Sequence, residues 1–214
     1  LSISIYLSLK MNKPIFLEGE PGVGKTEIGK VLAKVLGTDL IRLQCYEGLD
    51  VHNAIYEWNY SRQILQIRML EAEGQKDKEK ISKEIFGSEF LIKRPLFQAI
   101  DHDGESPPVL LIDELDRADE EFEAFLLEIL SDFQISIPEI GTITAETPPI
   151  VVITSNRTRE IHDALKRRCL YHWIDYPTAE QEFEIVKRKI PQVNEELGKQ
   201  VVAFVQAVRK KDFY

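Results

Sequence analysis

"GEPGVGKT", residues 19–26, is the stretch on which the reading of the whole chain turns. It packs Gly19, Gly22, Gly24 and Lys25 into one short segment. Ahead of it, Pro14 opens "PIFLE", a short apolar run that reads as a buried strand. Behind it, Ile28, Val31, Leu32, Val35 and Leu36 recur at the spacing of one helix face, and Gly37 stands where a C-cap would fall. The expected order is strand, glycine-rich loop, helix, with Gly19, Gly24, Lys25 and Thr26 meeting the pattern G-x-x-x-x-G-K-[ST]. Glycines permit backbone angles that a side chain forbids, so successive N–H groups converge on one concavity. A helix N-terminus adds partial positive charge there. Gly19, Glu20, Pro21, Gly22, Val23 and Gly24 would wrap the phosphates of a nucleotide such as ATP. Lys25 would bring a full charge to the outer phosphates, and the Thr26 hydroxyl would ligate Mg²⁺.

A phosphate cradle does not say what happens to the nucleotide, so the partners of the loop matter. After Pro107 and Pro108 comes "VLLIDE", residues 109–114. Val109 to Ile112 read as a fully buried strand of a parallel sheet. Asp113 and Glu114 stand at its carboxyl end, where open α/β sheets bind ligands. Asp113 is expected to hold Mg²⁺ in its outer sphere and Glu114 to polarise an attacking water. Taken alone, the same pair would be a solvated acidic turn. A second Pro-Pro pair, Pro148 and Pro149, precedes "IVVITSN", another buried strand. Asn156, just past its end, is expected to orient a water or touch the γ-phosphate; alone it would be a turn residue. In "HDALKRRCLYHWIDYP", Lys166, Arg167 and Arg168 form a basic trio. It is either a surface charge cluster favoured by a helix dipole or the source of an arginine finger, a cation given to another subunit's nucleotide.

The loop, "VLLIDE", "ITSN" and "ALKRRC" occur in that order along the chain. In this the chain resembles the AAA+ ATPases. Within them it resembles the MoxR family, and the stretches "LIRLQCYEGLDVHNAIYEWNY", "RADEEFEAFLLEILSDFQISIPEIGTI" and "SNRTREIHDALKRRCLYHWIDYP" are similar to its CoxD-like members. Those members are associated with maturation of carbon monoxide dehydrogenase and related molybdenum enzymes. The resemblance implies an α/β P-loop core with a parallel sheet, a β-hairpin insertion and the start of a helical lid. It matches Gly19 to Thr26 with the Walker-A loop, Asp113 and Glu114 with Walker B, and Asn156 with sensor 1. It makes Arg168 the first choice for the finger and Arg167 the second, because Cys169 stands where an aromatic residue usually follows the finger. A sensor-2 arginine would lie on a lid helix beyond Tyr214. A ring, hexameric in expectation, a von Willebrand factor A-domain partner and a metalloenzyme client are likewise implied.

Composition sets outer bounds. The chain has 214 residues with 43% hydrophobic, enough to bury a sizeable core. A net charge of −9 argues against a chain-wide nucleic-acid footprint. Cys45 and Cys169 are far apart and in no metal-ligand spacing, which suits a reduced, cytoplasmic setting. No apolar run approaches the ~18 residues of a membrane span, and no signal-peptide pattern opens the chain. It starts at Leu1 without methionine, so both ends are read as cut.

The rest follows more loosely. "LSISIYLSLKMN" reads as a helix leading inward. The segment from Glu47 to about Ile100 contains "RQILQIRMLEAEGQKDKEKISKEIF", a helical pattern broken by Gly74 and a charged run. That run is a solvated face, a mobile loop, or, by resemblance, a substrate- or pore-facing insertion. Phe122, Phe125, Leu126, Ile129 and Leu130 predict an amphipathic helix, and "FQISIPEIGTITA" a β-hairpin. Leu197, Val201, Phe204, Val205 and Val208 read as the core-facing stripe of a lid helix. The domains expected are 1–177, the nucleotide-binding core, and 178–214, the start of the lid. The four histidines and Trp58, Tyr60 and Trp173 read as structural. The leading function is a Mg²⁺-ATPase that remodels a protein client. A nucleic-acid motor, a small-molecule kinase and a scaffold without turnover are the competitors. "QISIPEIGT" carries no lysine or arginine, which counts against the first of these.

Overall fold

A computed structural model describes residues 1–74, 77, 81 and 84–209. In chain order the first elements are α1 (Ser2–Met11), β1 (Ile15–Gly19), α2 (Lys25–Leu36), β2 (Leu40–Gln44), α3 (Val51–Ile55), β3 (Tyr56–Trp58), α4 (Tyr60–Ala72), β4 (Leu91–Lys93) and α5 (Pro95–Ile100). They are followed by β5 (Val109–Asp113), α6 (Glu120–Asp132), β6 (Gln134–Ile137), β7 (Gly141–Thr144), β8 (Ile150–Ser155), α7 (Asp163–Arg168), β9 (Leu170–Ile174), α8 (Ala179–Lys189) and α9 (Glu195–Arg209). The main sheet has the order β2-β5-β8-β1-β9, and every neighbouring pair is parallel. The α/β class expected from the sequence is the class observed.

The three central strands are buried along almost their whole length, because helices cover both faces. On one face Ile15, Leu17, Val109, Leu111 and Val152 pack with Leu32 and Ala33 of α2 and with Ile5 and Leu9 of α1. On the other, Phe16, Leu110, Ile112, Val151 and Ile153 pack with Phe122, Leu126 and Ile129 of α6 and with Leu165 of α7. The apolar side of α6 is thus the one its spacing predicts. Asp119 caps that helix, its carboxylate accepting the Phe122 N–H at 2.8 Å. The hairpin also forms, Gln134 pairing Thr144 and Ile137 pairing Gly141, which turns at φ 105°.

Three parts differ from the sequence reading. First, α2 buries Gly29, Leu32 and Ala33, while Val31 and Val35 face outward. A Cβ on Gly29 would come within 3.2 Å of Leu111, so the helix lies close on β5 through its smallest residues, not along its widest apolar row. Second, β2, β9 and the small antiparallel pair β3–β4 are not evident from periodicity. Edge strands are half-exposed and carry mixed residues, such as Arg42 and His172, so their apolar signal is weak. Third, most of the expected stripe on α9 faces outward: Leu197, Val201, Phe204 and Val208 are exposed, and Gly198 and Val202 are buried. The charged run at residues 75–83 lies largely outside the described residues.

The chain divides into two compact units, the first Leu1–Ile174 and the second from Asp175. Within the second, α8 starts at a capping box between Thr178 and Gln181. A Cβ on Gly198 would stand 2.9 Å from the Phe183 ring, so α9 meets α8 where it has no side chain. Arg209 pairs with Glu182 at 2.5 Å and stacks over Tyr176.

Gly19 ends β1 against β9, and a Cβ there would lie 2.3 Å from the Ile174 carbonyl oxygen. Backbone cannot rotate away as a side chain can. Gly19→Ala is expected to lower stability by about 1–3 kcal/mol, read as a lower urea midpoint by circular dichroism.

Candidate nucleotide site

The loop after β1 carries Gly22 at φ 81° and Gly24 at φ 96°, both in the left-handed region. A Cβ on either would meet nothing within 4 Å, so conformation and not crowding requires glycine there. Gly24 is the N-cap of α2 and no side chain caps that helix, so its N-terminus is available to an anion. Glu20, Pro21 and Gly22 are exposed, Val23 half-buried. Lys25 is buried at the first helical position. Its ammonium donates to the Gly19 carbonyl at 2.7 Å and the Glu20 carbonyl at 2.8 Å. Burial lowers its pKa, while Asp116, Glu20, Asp113 and Glu114 work in the opposite sense.

The carboxyl ends of β5 and β8 meet this loop because β8 lies between β1 and β5 in the sheet. Asp113 ends β5 and is almost fully buried. Its Oδ1 accepts from the Thr26 hydroxyl at 2.9 Å and the Thr154 hydroxyl at 2.6 Å. Its Oδ2 accepts from Arg42 of β2, from Nε at 3.1 Å and Nη2 at 2.5 Å. Glu114 follows in the left-handed region at φ 56°. Its N–H donates to Thr154 Oγ1 at 2.9 Å, and its carboxylate pairs with Arg117 Nε at 2.9 Å. The side chain remains a third exposed, so it stands at the surface of the site.

Asn156 follows β8, and its backbone N–H donates to Asp116 Oδ1 at 3.1 Å. Asp116 Oδ2 accepts from the Thr158 N–H at 2.9 Å and the Thr158 hydroxyl at 2.6 Å. One buried carboxylate thus ties the turn after β5 to the turn after β8. Burial pushes its pKa up, but the hydrogen bonds from Thr158 and Asn156 outweigh this and hold it below the usual carboxylate range. Sequence reading passed over Asp116 and Arg42. The signal available for Arg42 was a charged residue within an otherwise apolar run, "LIRL".

The basic trio ends α7. Arg168 donates to the Leu127 carbonyl and the Ser131 hydroxyl of α6. Arg167 points into solvent, loosely paired with Asp163 at 3.9 Å. Hydrogen bonds and charge proximity thus bring Lys25, Thr26, Asp113, Glu114 and the Asn156 backbone together, while Arg167 and Arg168 make their contacts on α7 and α6.

These residues fit a magnesium nucleotide. The glycine loop leads into a helix N-terminus with no side-chain cap, Lys25 supplies a cation, and Thr26 with Asp113 supplies a hydroxyl and a carboxylate held together for an oxygen-seeking divalent ion. Fold and loop together define a P-loop nucleotide-binding protein of the AAA+ type. Residues 14–169 match the AAA domain of the dynein-related subfamily, and the chain belongs to that family, whose members use ATP with Mg²⁺. It is 29% identical over 201 residues to a Lon protease of Cytophaga hutchinsonii and 25% identical over 221 residues to one of Geobacter metallireducens. It covers 21% and 23% of those proteins while 90% and 95% of its own length is matched, so it spans about a fifth of them. Among solved structures it is similar to an ATPase assigned in Cytophaga hutchinsonii, with TM-score 0.59 and 21% identity over 90% of this chain and 51% of that one. It is also similar to a Thermotoga maritima RuvB variant, P216G, with TM-score 0.54 and 19% identity over 94% of this chain and 54% of that one. A second RuvB structure, described as a Holliday junction branch migration motor, gives 0.52 and 17% over 94% and 53%.

Asp116→Ala would leave the Asn156 and Thr158 N–H groups without their acceptor, and is expected to cost about 1–3 kcal/mol. Because the folded pKa of Asp116 is depressed, its contribution is complete above its unfolded value near ~4 and is lost as pH falls through the folded value. Urea midpoints of wild type and Asp116→Asn should therefore converge as the pH is lowered below ~4 and differ most near neutrality.

Proposed function

We propose that the chain binds and hydrolyses Mg-ATP and couples this to remodelling a protein client. The observation that carries the reading is the Thr26–Asp113 hydrogen bond, 2.9 Å long between residues 87 positions apart, at the mouth of the glycine loop. Gly19 to Gly24 and the first turn of α2 hold the phosphates through N–H groups. Lys25 exchanges its Gly19 and Glu20 carbonyls for the outer phosphate oxygens. Thr26 and Asp113 would hold Mg²⁺, which would supply positive charge to offset that of the phosphates. Glu114 takes a proton from the attacking water, and Asn156 orients that water beside the γ-phosphate.

AAA+ ATPases commonly form rings. In our reading the finger for a neighbouring copy comes from Arg168 or Arg167, both exposed at the end of α7. By resemblance to the AAA+ ATPases the assembly in our reading is a ring, hexameric in size. In it residues 1–177 form the nucleotide-binding core and residues 178–214 begin a helical lid. By resemblance to the CoxD-like branch of the MoxR family, the client is a metalloenzyme undergoing maturation, reached through a von Willebrand factor A-domain partner. A cytoplasmic setting agrees with two free thiols, Cys45 and Cys169, each buried and pushed up to about 12. No helix among the described residues is long and apolar enough to cross a membrane. The RuvB neighbours make a nucleic-acid motor the second reading. Against it, the β6–β7 hairpin carries no lysine or arginine. Salt-sensitive binding of duplex DNA would reverse the order of the two readings.

Two substitutions test the site. Lys25→Ala should weaken ATP binding by on the order of 100-fold, measured by fluorescent-nucleotide titration. Glu114→Gln should bind ATP as wild type does but turn over ~10²–10⁴-fold more slowly. Turnover at the wild-type rate would remove Glu114 from the mechanism.

The arginines are separable. Arg168 must release the Leu127 carbonyl to reach a neighbour, whereas Arg167 need not. The residue that serves as the finger should, as alanine, bind ATP normally and hydrolyse it ~10³-fold more slowly. Mixing that variant with Lys25→Ala should restore part of the activity. Baseline rates in mixtures that demonstrably assemble would exclude action in trans.

A further inference from the structure

We propose that Arg42 is an internal counter-cation of the magnesium site and sets how much Mg²⁺ the nucleotide complex requires. This rests on the reading of Asp113 as the Mg²⁺-supporting carboxylate. Arg42 stands on β2 two residues before Gln44, which lies opposite Asp113 in the parallel pair. Period-two alternation places Arg42 and Gln44 on one face of β2, so the guanidinium reaches Asp113 diagonally across the pair.

It does so through two hydrogen bonds to the same oxygen, Oδ2, while a third contact runs to the Gln44 side-chain carbonyl. The other oxygen, Oδ1, is turned toward Thr26 and Thr154. Each carboxylate oxygen therefore has two donors. A hydroxyl such as that of Thr26 can keep its proton on Oδ1 and still offer a lone pair to a metal. The guanidinium is a cation that offers no lone pair, and it repels a divalent ion at close range. Asp113 is almost fully buried, but the arginine side chain is 46% exposed, so it has room to stand back from the carboxylate.

Two opposed effects follow, and their balance is the test. Arg42 orients the carboxylate, which helps Mg²⁺, and neutralises it, which hinders Mg²⁺. Oδ1 is already fixed by two hydroxyls, so orientation survives without Arg42 and the charge dominates. In the sequence Arg42→Gln, the concentration of Mg²⁺ that half-saturates binding of a fluorescent ADP to the 214-residue chain should fall about tenfold at low ionic strength. Affinity for the same nucleotide in excess EDTA should change less than about twofold. Arg42→Lys, which retains the charge, should stay near wild type, and thermal melting should confirm that both variants fold. In an Asp113→Asn background the Arg42→Gln effect should vanish. An unchanged or raised Mg²⁺ requirement in Arg42→Gln, or an equal effect in the Asp113→Asn background, would overturn the proposal. A wild-type chain that binds no nucleotide at all would instead overturn the underlying site.

Discussion

The Asp113 carboxylate is the group around which the site is arranged. A buried carboxylate is tolerated only when its oxygens are satisfied, and here β8, β2 and α2 all contribute to that satisfaction. Thr154 comes from the strand beside it, Arg42 from the strand on the other side, and Thr26 from the helix that follows the glycine loop. Three donors from three elements can meet one carboxylate only if the sheet is parallel and its carboxyl ends are level. Registers such as Gln44 beside Asp113 and Ile112 beside Ile153 fix that level. A shift of one residue would turn Asp113 toward α6 and dismantle the group.

The same requirement explains the second carboxylate. Asp116 lies one short turn beyond Asp113 and holds the Asn156 and Thr158 amides. The ends of β5 and β8 are therefore joined twice, once by Thr154 to Asp113 and once by Asp116. Those ties hold the two strand ends together, while Glu114 keeps a third of its side chain exposed. Arginines attend both acidic residues of the β5 end, Arg42 at Asp113 and Arg117 at Glu114. Charge in the site is thus nearly balanced within the chain, and a magnesium nucleotide would enter a neutralised field rather than a bare acidic one.

How much was legible in the sequence depended on how strongly each residue's role is local. Glycines at 22 and 24, Lys25 and Thr26 lie within one loop, and their spacing alone carried the expectation of phosphate binding. The buried runs before the loop and before Asp113 were plain because both faces of a central strand are apolar. The hairpin and α6 were legible for the same local reason, with Gly141 at the turn and Phe122 to Leu130 at helical spacing. By contrast, the seam of α2 on the sheet was misread, because close approach through Gly29 overrode the wider Val31–Val35 row.

By itself the sequence determined that the chain carries a phosphate-binding loop between a strand and a helix, two acidic residues at a later strand end, and a polar residue at a third. Those are consequences of backbone conformation and short-range periodicity, which act over a few residues. Only the tertiary structure decided that Arg42 faces Asp113, that Asp116 rather than a neighbour anchors Asn156, and that Arg168 rests on α6 while Arg167 does not. Those pairings join positions separated by tens of residues. They exist because sheet order and register bring distant side chains to one place, and no spacing within a local window encodes that order.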